Sequence, residues 1–371
     1  MSFYPICAEY NDAPLAEQFG SVTEHDVRRA LNKTTLKPED FLALLSPAAI
    51  PFLEEMAAKA SQLTLQHFGR TIQLFTPLYM ANFCTNRCVY CGFNTKNDIP
   101  RSQLEPEELE EEAKAIAATG LKHLLILTGD ARAKSSPDYI ESSAKILSKY
   151  FPSVSIEIYA MTEEEYSRLE KAGVDGMTMF QETYNEKLYP ELHPAGPKND
   201  YRFRLDAPER ACKAGMRTVN IGALLGLDEW RNDALKTGIH AAYLQNKYPE
   251  VDIAVSLPRI RTHVGDAFEP KSLVNDQSLV QNMLALRIFL PRCGITISTR
   301  EAPEFRENIL PLGVTRMSAG VSTEVGGHTK DDEKVGQFDI SDERSVEEMC
   351  QVLKNHGYQP VFKDWEPLGA V

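Results

Sequence analysis

The sequence lacks any excess of positive charge: 40 Lys and Arg stand against 53 Asp and Glu, a formal net charge of −13. That excludes a general binder of nucleic-acid backbones and favours a small-molecule or protein partner. No apolar run approaches the ~20 residues of a membrane-spanning helix. The opening MSFYPICAEYND also has no basic stretch leading into an apolar core, so a cytoplasmic protein with no membrane partner is expected. A disulfide framework is missing too. Seven cysteines is an odd count, and Cys7, Cys212, Cys293 and Cys350 stand singly, which suits ordinary thiols in a reducing compartment. Low-complexity linkers and close internal repeats are absent. What the chain does have is 371 residues with 43% hydrophobic content, enough to bury one large core.

Residues 1–70 read as a helical extension: EHDVRRALNK, PEDFLALLS and AIPFLEEMAAKASQLTLQHFG carry apolar residues at three- and four-residue spacing, with Gly69 as a stop. From Thr71 the pattern becomes a repeated beat of short apolar strand, turn and amphipathic helix. Strands are expected at 72–80, 123–129, 154–160, 175–182, 218–226, 252–259, 295–300 and 314–320. Eight strands with helices between them over residues 71–371 point to an α/β fold, a (β/α)8 TIM-type barrel, with a doubly wound open sheet as the alternative. In a barrel the loops after the strands build the active site, so chemistry should collect there. The acidic run EPEELEEE at 105–112 suits a helix N-terminus and a solvated face.

Three of the seven cysteines fall together in CTNRCVYCGF, directly after the first strand. Thiolates at this spacing can share one metal centre, but a structural zinc site closes its tetrahedron with a fourth ligand, and none is near. A [4Fe–4S] cluster held by three thiolates leaves one iron open to a chelating small molecule. The string C-x3-C-x-aromatic-C after a first barrel strand resembles the radical S-adenosylmethionine (SAM) superfamily, with Cys84, Cys88, Tyr90 and Cys91 in the matching places.

That resemblance implies a [4Fe–4S] cluster on the three cysteines, and SAM chelated to the open iron by its methionine amino and carboxylate groups. Reduction by one electron then yields methionine and a 5′-deoxyadenosyl radical. The resemblance also suggests further cofactor-binding residues. Gly129 and Asp130, in TGD, stand where the superfamily holds the SAM ammonium, although a simple turn reads the same way. Glu157 can meet the ribose hydroxyls if it faces inward. Arg204 can grip the SAM carboxylate through two parallel bonds, with Arg202 and Arg210 as competitors. Gly222 can admit the adenine, or can serve strand packing alone.

The wider string is more specific. PLYMANFCTNRCVYCGFNTKN, HLLILTGD, FQETYNEKLYPELHP, NIGALLGL, VSLPRIR, ISTRE and PVFKDW together resemble the tyrosine lyases of thiamine biosynthesis, from about residue 25 to about residue 366. Membership implies removal of a hydrogen atom from the amino group of L-tyrosine and scission of its Cα–Cβ bond to 2-iminoacetate and 4-methylphenol. It also implies thiazole synthase and an electron donor such as flavodoxin as partners.

A buried amino-acid carboxylate must be paired. Arg300, at the end of the seventh strand, is the expected anchor, with Glu301 beside it as the competing ion-pair partner. Ser318 and Ser298 are possible hydroxyl donors. Glu182, His263 and Glu301 lie near strand ends as possible bases for the phenolic proton, and none is preferred. Three other readings are a tryptophan-cleaving relative, a non-catalytic cluster scaffold, and the hydrogenase maturase that also splits tyrosine. The last carries C-terminal cysteines that KDWEPLGAV lacks.

Overall fold

A computed structural model of the chain describes residues 2–261, 268–329 and 336–365. Eight parallel strands form the frame: β1 (Thr71–Ala81), β2 (His123–Thr128), β3 (Ser153–Glu157), β4 (Val174–Glu182), β5 (Thr218–Ala223), β6 (Asp252–Ser256), β7 (Gly294–Ile297) and β8 (Arg316–Ser318). Each pairs with the next, and β1 pairs with both β8 and β2, which closes the barrel. All eight expected strands are present. Most end earlier than the apolar runs suggest, because the chain leaves the ladder to enter the loops above it.

A ninth strand, β9 (Gln359–Val361), was not expected. At Gln73 the strand β1 meets Arg316 of β8 on one edge and Val361 of β9 on the other. The pairing of β2 with β1 begins only at Thr76. β9 therefore fills the edge of β1 below β2 where the strands start.

Five helices precede the barrel: α1 (Tyr4–Asp12), α2 (Leu15–Ser21), α3 (Glu24–Leu31), α4 (Pro38–Leu45) and α5 (Leu53–Phe68). The last stops at Gly69, whose φ of 66° suits a residue without a Cβ. Between and after the barrel strands come α6 (Pro106–Ala118), α7 (Pro137–Leu147), α8 (Glu163–Lys171), α9 (Tyr189–Leu192), α10 (Tyr201–Leu205), α11 (Ala207–Lys213), α12 (Trp230–Lys247), α13 (Asp276–Phe289), α14 (Pro303–Asn308) and α15 (Val346–Asn355).

The helical extension shares one continuous apolar core with the barrel helices. Phe41 of α4 stacks on Phe289 of α13 at 4.5 Å. Gln281 of α13 donates to the carbonyls of Leu44 and Ser46 at 3.0 and 2.8 Å, so Phe41→Ala would cost about 3–5 kcal/mol of stability. No single helix among the described residues is long and apolar enough to cross a membrane; α4 with the chain through α5 passes only as a pair bent by 81°.

Candidate active site

The loop after β1 presents the three clustered cysteines at the mouth of the barrel. Arg101 holds its shape, donating to the carbonyls of Asn82, Phe93, Asn94 and Asn97 at 2.7–3.2 Å. Asn94 adds a bond from its side-chain amide to the Cys88 carbonyl at 3.0 Å. Among the described residues no three His, Cys, Asp or Glu side chains are gathered closely enough for a single metal ion. The three thiols nevertheless lie within one another's electrostatic reach. Three thiols with no fourth Cys or His gathered with them among the described residues suit a cluster that leaves one iron open better than a closed zinc site. Burial pushes the Cys88 thiol up to about 12, partly offset by Lys198, so binding of iron must displace its proton.

Gly129 and Asp130 lie against this loop. A Cβ on Gly129 would collide with the Phe83 carbonyl, so the glycine admits the backbone that carries Cys84. Asp130 accepts from the Asn86 side-chain amide at 2.8 Å, and its carbonyl accepts from Thr85 N at 2.9 Å. One carboxylate oxygen of Asp130 is thus already engaged in holding the cysteine loop.

Of the three candidate arginines, Arg204 alone belongs to the ion-pair group beside Cys88. It is 8% exposed, donates to the Phe180 carbonyl at 2.8 Å and lies 3.5 Å from Glu182. Arg202 is exposed and bonds Tyr4, while Arg210 donates to Met161 and Phe203 carbonyls. Glu182 also pairs with Lys198 at 2.6 Å. It is the sole described non-glycine residue with positive φ, at 71°, a conformation that costs on the order of 1 kcal/mol and aims the carboxylate at both cations.

Tyr90 is fixed by a residue that sequence reading did not single out. His193 Nδ1 meets the Tyr189 carbonyl at 2.9 Å, so that nitrogen carries the proton, and Nε2 accepts from the Tyr90 hydroxyl at 2.6 Å. Burial, then Lys198, lowers the His193 pKa to about 2, which keeps the ring neutral. At Gly222 the space of the missing side chain is taken by the Ser256 carbonyl and the Phe180 ring, so the glycine serves strand packing whether or not its backbone also meets the adenine.

Inside the barrel lies a cavity lined by Tyr79, Glu157, Asn220, Arg300, Ser318 and Phe338 among others. Glu157 therefore faces inward, and burial, then Glu182, pushes its carboxyl up to about 7. Ser318 accepts from Thr299 N at 3.1 Å and Ser298 accepts from Arg300 N at 3.4 Å. Ser318 also lines the cavity.

Arg300 sits in the turn three residues beyond β7. Its guanidinium carbon lies 3.4 Å from the Phe338 ring centroid. Among the described residues no carboxylate comes within ion-pair distance of Arg300. The competing partner, Glu301, is taken by Arg259 and by Arg261, the latter at 3.1 Å. Of the possible bases, Glu182 and Glu301 are thus committed to cations, and His263 lies outside the described residues. Lys198, His193, Tyr79 and Phe338 were missed, since each is a lone residue whose role arises only from folding.

Residues 78–237 match the Radical SAM superfamily and residues 256–359 the Biotin and Thiamin Synthesis associated domain. The chain is 38% identical to the 2-iminoacetate synthase of Salmonella typhimurium over 359 residues, covering 96% of this chain and 94% of that protein. It is 39% identical to the 2-iminoacetate synthase of Escherichia coli, over 93% of this chain and 91% of that one. Among solved structures it is similar to HydG, a maturase of the [FeFe]-hydrogenase. The TM-score is 0.89 at 31% identity, covering 95% of this chain and 80% of the other.

Proposed function

Because the chain belongs to the 2-iminoacetate synthase family of radical SAM enzymes, we propose how its own side chains divide the work of that reaction. The activity is that of a lyase cleaving the Cα–Cβ bond of L-tyrosine to 2-iminoacetate and 4-methylphenol, with SAM converted to 5′-deoxyadenosine and methionine. A [4Fe–4S] cluster and SAM, when bound, supply the 5′-deoxyadenosyl radical that starts the reaction.

Cys84, Cys88 and Cys91 hold the cluster. Arg204, with Lys198, receives the SAM carboxylate, while Asp130, Glu157 and the Gly129 backbone lie toward the rest of the cofactor. Tyr90, braced by His193, packs beside it. Arg300 anchors the tyrosine carboxylate and Ser318 adds a hydroxyl donor. Both groups border one cavity, which would shield a bound amino acid from water.

The observation that carries this assignment is the state of Arg300. A half-buried guanidinium that lines a cavity with no carboxylate at ion-pair distance among the described residues is costly, and a substrate carboxylate supplies what is missing. The product imine hydrolyses readily in water, which favours direct passage to a consuming enzyme, thiazole synthase. The electron comes from a small donor such as flavodoxin.

Anaerobic protein reconstituted with iron and sulfide, given SAM, reductant and L-tyrosine, is expected to yield 5′-deoxyadenosine and 4-methylphenol by mass spectrometry. Deoxyadenosine without 4-methylphenol would move the reading to another aromatic amino acid. Neither product from protein with an intact cluster would favour a scaffold.

A further inference from the structure

The segment 336–338 has a role that neither the family match nor the site described above assigns. Its backbone is seated between the cysteine loop and the chain after β8. Gly92 N donates to the Gln337 carbonyl at 3.3 Å, and Gln337 N donates to the Thr323 carbonyl at 3.2 Å. Thr323 Oγ1 donates to the Phe338 carbonyl, also at 3.2 Å. A Cβ on Gly92 would lie only 2.5 Å from the Gln337 oxygen, so the close approach depends on glycine.

The side chain of Gln337 is oriented by its neighbours. The Tyr79 hydroxyl, buried and held in its protonated form by burial, donates to Gln337 Oε1 at 2.8 Å. A donor on one side fixes which end of the amide is oxygen, and the nitrogen must then point the other way. Gln337 Nε2 accordingly lies 3.7 Å from Cys91 Sγ, within range of an N–H···S bond. The next residue, Phe338, is the one on which Arg300 stacks.

Resting on the cysteine and arginine assignments made above, we propose that Gln337 is a positioning residue of the cluster. It donates a hydrogen bond to the Cys91 thiolate, and through Phe338 this bond is tied to occupancy of the Arg300 anchor. A donor to a ligand sulfur stabilises the extra negative charge of the reduced cluster and raises its potential. The one electron comes from an external reductant. A carboxylate that grips Arg300 pulls on the Phe338 stack, and the adjacent Gln337 amide passes the change to Cys91.

The test is a redox titration of the reconstituted protein with SAM bound, followed by electron paramagnetic resonance, with iron and sulfide content measured alongside. At the wild-type midpoint, Gln337→Leu is expected to lower the ratio of reduced to oxidised cluster about tenfold, the size of one hydrogen bond to a charged acceptor. An unchanged midpoint in iron-replete Gln337→Leu overturns the proposal. If that variant fails to hold iron, Gln337→Glu carries the test: it keeps the shape and the Tyr79 bond but replaces the donor with an acceptor, so it too must lower the midpoint.

L-tyrosine should shift the midpoint or the signal in wild-type protein and in Phe338→Leu should not; an equal shift in both overturns the link to Arg300. These readouts need no turnover. A midpoint that depends on Gln337 in a protein making no 4-methylphenol would sink the substrate assignment and leave this one standing.

Discussion

The two ends of the barrel carry similar charges but treat them differently. Where the strands begin, the charged groups that face one another are paired. Arg217 pairs with Asp175 at 3.0 Å, Arg316 pairs with Asp252, and His123 Nε2 lies 3.1 Å from Asp364. Asp364 follows β9, and Trp365 lies under the Arg217 guanidinium at 4.9 Å, so the segment after β9 packs on this face. Where the strands finish, Arg300 has a ring but no carboxylate partner among the described residues, the pKa of the Glu157 carboxyl is displaced upward, and Glu182 sits in a left-handed backbone conformation. Charge at the first end is paired for structure; at the other, where Glu182 and Glu301 are also paired, Arg300 and Glu157 mark where a ligand's charge is expected.

The contrast is broken most completely at the cysteines. Cys88→Ala should abolish both bound iron and 5′-deoxyadenosine formation while the fold, followed by circular dichroism, is retained. Next in size is Arg300→Ala, which should keep the iron and still cleave SAM but lose about 100-fold in kcat/KM for tyrosine, the loss expected for a buried charge-assisted pair. Equal values for variant and wild type would remove the carboxylate anchor.

Glu157 tests the cost of the open end. Its folded pKa of about 7 stands above the ordinary 4.5, so the fold keeps a proton that the unfolded chain releases between those values. Stability is lost as pH rises across that window. Glu157→Gln should remove that loss, up to about 3 kcal/mol at pH 8 relative to pH 4 in urea unfolding of the apoprotein; parallel pH profiles for the two proteins would contradict it.

The paired end should respond least. The pKa of Asp364 is lowered to about 2 from 3.8; burial opposes the shift, and the hydrogen bond from His123, then nearby positive charge, outweighs it. Its stabilisation is present above about 3.8 and lost as pH falls toward 2. Asp364→Asn should cost about 1 kcal/mol at neutral pH, since the group is partly solvent-screened, with kcat for tyrosine unchanged. A fall in kcat would mean that the two ends are not independent.

The same contrast explains what could be read in advance. The eight strands were legible because apolar runs such as HLLILT and VSIE report burial on both faces, and the cysteines because their spacing is local. β9 was not: Gln359, Pro360 and Val361 make a three-residue strand containing a proline, and only the edge left open on β1 turns it into one. α1 and α2 fall inside the expected helical extension, but their individual segments could not be picked out because YPICAEYND and LAEQFGS show too little apolar periodicity and bury few residues. Arg300 could be named from its place near a strand end, but its freedom from Glu301 could not, because that depends on Arg259 and Arg261 arriving from another loop. Gln337, Phe338 and His193 act through contacts more than a hundred residues away or on neighbouring loops, where a single sequence carries no signal.

The most direct measurement is the affinity of the SAM-loaded protein for L-tyrosine and for tyramine, which lacks the carboxylate, in wild-type and Arg300→Ala forms. Wild-type protein should prefer tyrosine by about 100-fold and the variant should bind the two nearly alike, a coupling of about 3 kcal/mol. If Arg300→Ala kept the wild-type preference, the carboxylate would be held elsewhere and the unpaired arginine would not mark the substrate site.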